Sequence, residues 1–544
     1  MASTNTDNAG RRTLQVPDWN FGVITSILGT EIPDRALQDA LNVEFDEAGN
    51  LAPRTGLTQL FATTFANRIT SAYYFTSGAG EIGILYTTGS QLRIVETNGT
   101  GDTNLTGALT LPSNNFWQWI TYKDLAIGVN KATGGDNPIK VSTGSVAAAL
   151  GGSPPKGKYI ALWENRVWIV SATEPNQLWG SELGDPEGWT TGGTAADAIT
   201  IDVELDDGDQ ISGLFATKDA LYVWKRKRIY KVIRVAIDSN NPQGLKIVIH
   251  SQTIGCVSPY SIFPLFDDVV FLSEQGLAGL KLTEQVEDFR TALYSRNVAE
   301  IAKIPKTTEE IPAILIPEAS QYWLSFPAAI STRAINEAYV LDYLNIAAGL
   351  DATRWTRFSG LAAGTAYTSF PGASGRVYVV GAQNQAGTHQ LFTYIPRNAS
   401  GPLNDNGESY TKFIKTKAFT LDAPLIRKHF HKYGFRFAIM AASNEVVLSY
   451  YFDENPNKGG NESFTVAGSL SGAIYDVSLW DQAEWDTNIR VPLDFVARTR
   501  QNSSGQRGQS ITFEISNTQE DQGFQLREMM LIYEILTERR VGDV

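Results

Sequence analysis

A pair of short apolar strands recurs along most of this chain, and repetition at a fixed period limits the fold before any single residue does. Apolar runs that end in turns centre on Ile84 (IGILY), Ile127 (LAIGV), Ile169 (VWIV), Val223 (LYVW), Phe271 (VVFL), Leu324 (YWLSF) and Val379 (VYVV). Successive centres lie 43, 42, 54, 48, 53 and 55 residues apart. Most are followed by a second short run, as at Gln91 to Ile94, Ile139 to Val141, Ile229 to Lys231 and Leu391 to Tyr394. A four-stranded propeller blade takes about 40–50 residues. One blade cannot bury both faces of its sheet, so neighbours stack on it and ring closure removes the exposed edges. The spacing predicts an all-β chain with a β-propeller of about seven blades over residues 60–397; six or eight would also fit. Two β-sandwiches in tandem are the competing architecture, and the spread of the intervals is their best support.

The flanks read differently. Residues 1–30 are polar and expected to be extended. Asp39 to Gly56 (DALNVEFDEAGNLAPRTG) reads as a hairpin, with Glu47-Ala48-Gly49-Asn50 as its turn. These segments make an N-terminal arm and hairpin over residues 1–59. Asn398 to Gly407 has linker composition. Beyond it, FIKTKAFTL, YGFRFAIMA, EVVLSYYF, SITFEIS and MMLIYEI predict a C-terminal antiparallel β-sandwich or platform domain over residues 398–544. The best helical windows are Pro33 to Ala40 and Glu284 to Ile301.

Of the 544 residues, 42% are hydrophobic and only 19% charged, with 48 Gly and 12 Trp, a balance that suits a turn-rich β protein. A formal net charge of -13 argues against wrapping nucleic acid, whose phosphates it repels. It is compatible with letting DNA pass without gripping it. The single cysteine, Cys256, allows neither an intrachain disulfide nor a multi-thiolate zinc site, and reads as a buried thiol. The first residues do not read as a secretory signal, and no window approaches the roughly 18 apolar residues of a membrane span. Folding in a reducing cytosol is therefore expected.

Catalytic fingerprints are missing: there is no G-x-S-x-G elbow, P-loop or Gly-rich dinucleotide turn. His429 and His431 alternate on one strand face as a candidate metal pair, but no nearby cysteine completes a set, so no metal site is assigned. Val203 to Asp209 (VELDDGD) is dense enough in carboxylates for Ca²⁺, yet lacks the full loop spacing and reads as a tight turn. Ser181 to Trp189 departs from the sialidase Asp-box in spacing. Lys225, Arg226, Lys227 and Arg228 form the one basic cluster. Alternate residues of a strand point to opposite faces, so Lys225 and Lys227 would share a side. The cluster reads either as a solvated hairpin turn or as a phosphate contact in a DNA channel.

Four motifs carry a family likeness. They are D-A-x-N-V…D-x-x-G-x-L-x-x-R-x-G at Asp39 to Gly56, N-R-V-W-I…L-W-G-S…D-P-E-G-W at Asn165 to Trp189, G-D-Q-I-S-G-L-F…L-Y-V-W-K…I-Y-K-V at Gly208 to Val232, and I-G-C-V-S-P-Y-S-I…D-D-V-V-F-L-S-E-Q-G-L at Ile254 to Leu277. With these, the chain resembles the tail nozzle proteins of short-tailed bacteriophages, also called tail tubular protein B, and their packaged-DNA stabilisation relatives. The likeness runs through residues 35–285 by motif and 286–397 by rhythm.

The resemblance implies a structural virion protein, not an enzyme, without cofactors. Six copies would form a ring at the distal end of the tail, after assembly in the host cytoplasm. That ring would dock on a head-to-tail adaptor or tail-tube protein, carry tail fibres or spikes, and conduct DNA without sequence-specific binding. The alternative from another class is a carbohydrate-binding or carbohydrate-cleaving propeller that recognises a host receptor. A peptide-binding adaptor is weaker, because WD and Kelch signatures are missing.

Overall fold

Each of the seven repeat centres lies on the second strand of its own antiparallel meander, and all seven side chains are fully shielded at 0% exposure. The computed structural model describes residues 3–6, 11–78, 80–113, 115–130, 136–237, 241–281, 293–304, 310–327, 335–345, 353–373, 375–397, 401–438, 444–466 and 507–536. Among these, blade 1 runs from Ile69–Ser77 to Thr103–Asn104 and blade 2 from Trp117–Tyr122 to Ala148–Ala149. Blade 3 runs from Gly157–Trp163 to Ile199–Asp202 and blade 4 from Ile211–Ala216 to Leu245–Ser251. Blade 5 has three strands among the described residues, Phe263–Leu265, Asp268–Ser273 and Gly276–Gly279. Blade 6 runs from Ala313–Ile316 to Arg354–Ser359, and blade 7 begins with Ala366–Gly372, Gly375–Gln383 and His389–Tyr394.

The apolar runs are nearly continuous because each sheet is buried on both faces. Successive side chains of a strand point to opposite faces. On blade 1, Ile84 packs with Val379 and Leu391 of blade 7, while its neighbour Leu85 packs with Trp117 and Ile139 of blade 2. On blade 4, Val223 packs with Trp168 of blade 3, while Trp224 packs with Phe271 of blade 5. On blade 6, Leu324 joins Leu272 of blade 5, while Trp323 joins Val380 and Phe392 of blade 7. Ile127 and Ile169 fill the remaining junction, between blades 2 and 3. Every blade thus shares one core with each neighbour, and the series returns to its start. That cyclic pattern makes the fold a closed seven-bladed propeller and removes the tandem sandwiches.

Closure uses a strand from outside the predicted propeller. Thr58–Gln59 pairs antiparallel with His389–Tyr394 and supplies the fourth strand of blade 7, with Thr58 opposite Thr393. The propeller therefore draws on residues assigned by composition to the N-terminal arm.

The chain ends are interwoven in the platform. Arg12–Val16 pairs with Gln525–Ile535, which pairs in turn with Lys428–Ala438 in a seven-stranded sheet. The hairpin forms as expected, with Val43 opposite Pro53 and Phe45 opposite Leu51, and it joins the same sheet at Leu51. A nine-stranded sheet starts as blade 6 and continues through Leu37–Leu41 into Lys412–Thr416, Ile511–Asn517, Asn444–Phe452 and Asn455–Val466. One hydrophobic core runs from Leu272 and Tyr322 of the propeller through Val43 and Phe45 to Phe435 and Met529. The arm is thus structurally part of the platform.

Two helical expectations change. Pro33 to Ala40 is a turn leading into the strand Leu37–Leu41, where Leu37 and Ala40 are buried at a sheet junction. Tertiary pairing outweighs local propensity there. Of the window Glu284 to Ile301, residues up to 292 lie outside the described ones, and the remainder enters a short helix, Ala299–Lys303. The polar strand Asn455–Val466 has no apolar period to announce it.

Candidate functional site

The basic cluster caps the hairpin between Ala220–Lys225 and Ile229–Arg234 of blade 4. Lys225 is the last residue of the strand Ala220–Lys225 and is fully buried. Its Nζ lies 2.8 Å from Asp207 Oδ1 and donates to the Glu204 carbonyl at 2.7 Å. Asp207, in the acidic turn, also accepts from Tyr230 Oη at 3.2 Å and pairs with Arg228 at 3.4 Å. Burial works against ionising Asp207, but the Lys225 ammonium and the Asp209 N–H outweigh it and hold the carboxyl below its usual range. The acidic turn is therefore the internal counter-ion of the basic cluster. Lys225 does not share a face with exposed Lys227, because the turn starts between them. A channel contact by Lys225 is ruled out by its burial. Arg226 reaches Glu274 of blade 5 at 2.7 Å, and Arg226, Lys227 and Arg228 keep surface exposure.

The N-terminal motif builds the densest polar cluster. Arg54 is fully buried; its Nη1 and Nη2 donate to Asp405 Oδ1 and Oδ2 at 2.8 and 2.6 Å. Its Nη2 also reaches the Ser359 carbonyl of blade 6 at 3.2 Å, and its guanidinium lies 4.0 Å from the Tyr410 ring centroid. Asn42, in the left-handed region at φ 54, accepts from Ser359 N at 2.9 Å and donates to the Thr411 carbonyl at 2.7 Å. Asp39 pairs with Arg357 of blade 6 at 2.6 Å. Asp46 and Gly49 make the turn, where Gly49 has φ 84. At Gly56 a Cβ would sit 1.7 Å from the Asn404 carbonyl oxygen, so no larger residue fits. Glu44 accepts from Gln321 of blade 6 at 3.0 Å, and burial raises its carboxyl to about 7. The hairpin is thus a hub joining blade 6, the segment after the propeller and the platform.

The other motifs are anchors of the same kind. Buried Arg166 donates to the carbonyls of Ser181 and, at 2.8 Å, Asp197, tying the long loop of blade 3 to its sheet. In that loop Glu187 pairs with Lys140 of blade 2 at 2.8 Å. Cys256 is buried and its thiol donates to the Ser258 carbonyl at 3.0 Å. Ser258 Oγ donates to the Ile311 carbonyl at 2.9 Å, linking blades 5 and 6.

The histidines separate. His250 Nε2 lies 3.3 Å from the Leu280 carbonyl, and His389 begins the third strand of blade 7. His429 and His431 do share a face, and the fold adds a donor that sequence proximity hid. Glu534 lies opposite His429 on the neighbouring strand, and its Oε2 is 3.2 Å from His431 Nε2.

No family model and no curated protein matches the chain. Among solved structures it is similar to the AfRom2 CNH domain, with 9% identity and a TM-score of 0.38 over 63% of this chain and 100% of that one. It is similar to the Neurospora crassa Pan2 WD40 domain, with 8% identity and a TM-score of 0.34 over 64% and 97%. BamB from Moraxella catarrhalis follows, with 12% identity and a TM-score of 0.32 over 65% and 96%. None of these likenesses bears on function. The propeller rests on its own sheet order and blade-to-blade cores. No helix among the described residues is long and apolar enough to cross a membrane.

Proposed function

We propose that this chain is a structural subunit of a phage tail nozzle, six copies of which form a ring that gates and conducts the genome during ejection. The observation that carries the reading is the hub. The motif Asp39 to Gly56, which bears the family likeness, is spent on fastening a propeller to a platform through Arg54, Asn42 and Asp39. A conduit under load needs that kind of rigid joint, and closed cyclic symmetry is the usual way identical chains make a ring.

Charge supports the same reading. A net charge of -13, with Lys225 already neutralised inside blade 4, presents a sliding polyanion with few deep electrostatic traps. In this proposal the partners are further copies of the chain, an adaptor or tube above, and fibres or spikes at the side.

Electron microscopy of purified virions tests it. Six copies at the distal end of a short tail are the expected result. Absence of the chain from purified particles would overturn the proposal. Specific glycan binding or glycan cleavage by the purified chain would favour the carbohydrate-directed propeller instead.

A further inference from the structure

We propose that His429, His431 and Glu534 form a binding site for one divalent transition-metal ion, of the class represented by zinc. The three side chains come from adjacent strands of the platform, Lys428–Ala438 and Gln525–Ile535. His429 is directly opposite Glu534, and a register shift between Phe430 and Lys432 leaves His431 as the extra residue of a bulge. Phe430 on one side of the bulge is buried in the core, so His429 and His431 project from the other face of the sheet. Their ring centroids are 4.3 Å apart.

The donor atoms of all three residues lie within 4.8 Å of one another. Zinc bonds to His and Glu are about 2.0–2.2 Å, which places tetrahedral donors about 3.3 Å apart. His431 and Glu534 are already at that spacing, at 3.2 Å. A turn of the partly exposed His429 ring closes the set. Two imidazoles and one carboxylate suit zinc, cobalt or nickel; calcium and magnesium prefer all-oxygen sets. Three protein donors leave a fourth position open to water.

The surroundings tune the site. Arg507 and Arg11 bring positive charge close to His429. The two arginines repel a cation, so the affinity should be moderate. Position gives the site a consequence. Gln525–Ile535 lies between Lys428–Ala438 and the N-terminal strand Arg12–Val16, so the ion would clip together the strands that hold both chain ends in the platform.

The test uses the full chain without an affinity tag, stripped with a chelator and titrated with zinc chloride alone near neutral pH. One zinc per chain is expected, with a rise in thermal midpoint that grows with zinc concentration. Cobalt in place of zinc should give the visible absorption of a low-symmetry site. His431→Ala and Glu534→Gln should each weaken zinc binding at least about tenfold, and Arg507→Ala should tighten it. Failure to bind zinc stoichiometrically would overturn the proposal. So would unchanged binding by the folded His429→Ala, His431→Ala double variant, which would place the ion elsewhere on the chain.

Discussion

Arg54 of the N-terminal hairpin and Asp405 of the segment after the propeller meet in a two-pronged ion pair, 351 residues apart in sequence. Both side chains are buried, at 0% and 7% exposure. Such a pair contributes little net stability relative to apolar replacements, yet removing one partner strands a charge away from water. Arg54→Met should therefore lower stability by about 3–5 kcal/mol. Asp405→Asn should act in the same direction. Urea unfolding followed by tryptophan fluorescence reads both, and a loss below 1 kcal/mol (about the value of an exposed pair) would contradict the hub.

Gly56 makes a second test of the same joint. A methyl group there runs into the Asn404 carbonyl, and the Gly56 N–H already donates to the Pro402 carbonyl at 2.7 Å. Backbone on backbone cannot step aside as a side chain can. Gly56→Ala should cost about 3 kcal/mol, at the upper end for overpacking. Thermal unfolding of the variant beside the parent is the measurement.

Glu44 predicts a pH dependence. Burial raises its carboxyl from 4.5 to about 7 in the folded chain. The folded state then holds a proton that the unfolded state has released between those values. Its contribution is fully present below pH 4.5, falls as pH rises toward 7, and is lost above that. Glu44→Gln should remove this dependence and stabilise the chain at alkaline pH by on the order of 3 kcal/mol. The comparison is of unfolding midpoints for parent and variant across the pH range; identical slopes would contradict it.

Lys225 and Lys227 should behave oppositely despite their proximity. Lys225→Met leaves Asp207 with only Tyr230, the Asp209 N–H and the partly exposed Arg228, and should cost about 1–3 kcal/mol. Exposed Lys227→Ala should change stability by no more than about 0.5 kcal/mol. Chemical denaturation separates them.

Cys256 should resist thiol reagents in the native chain, since its side chain is fully shielded between blades 4 and 5. Labelling should then follow the opening of that junction and accelerate in sub-denaturing urea. Rapid labelling of the native chain would mean that blades 4 and 5 separate readily.

How much of this was readable in advance follows from the range of the interactions. Ile84, Trp168, Val223 and their counterparts announce blades because a strand buried on two faces must carry apolar side chains in succession. Asp46 and Gly49 announce the hairpin, since its turn is built within five residues. The blade intervals stretch where insertions serve neighbours, as the loop carrying Glu187 does for blade 2. The wrongly expected helix at Pro33 to Ala40 marks the reverse case, in which a distant strand, Lys412–Thr416, supplied the pairing.

Local order of apolar and turn residues was thus enough to specify most strands and their approximate period, because those depend on neighbours a few positions away, while the count of seven blades and the closure of their ring came from the tertiary structure. Folding in three dimensions alone settled that Thr58 closes blade 7 beside Thr393, that Lys225 spends its charge on Asp207, and that Glu534 comes to stand beside His431. These pairings join segments with no shared pattern. They are chosen by how whole sheets pack, and a linear string of residues holds no distance between its remote parts.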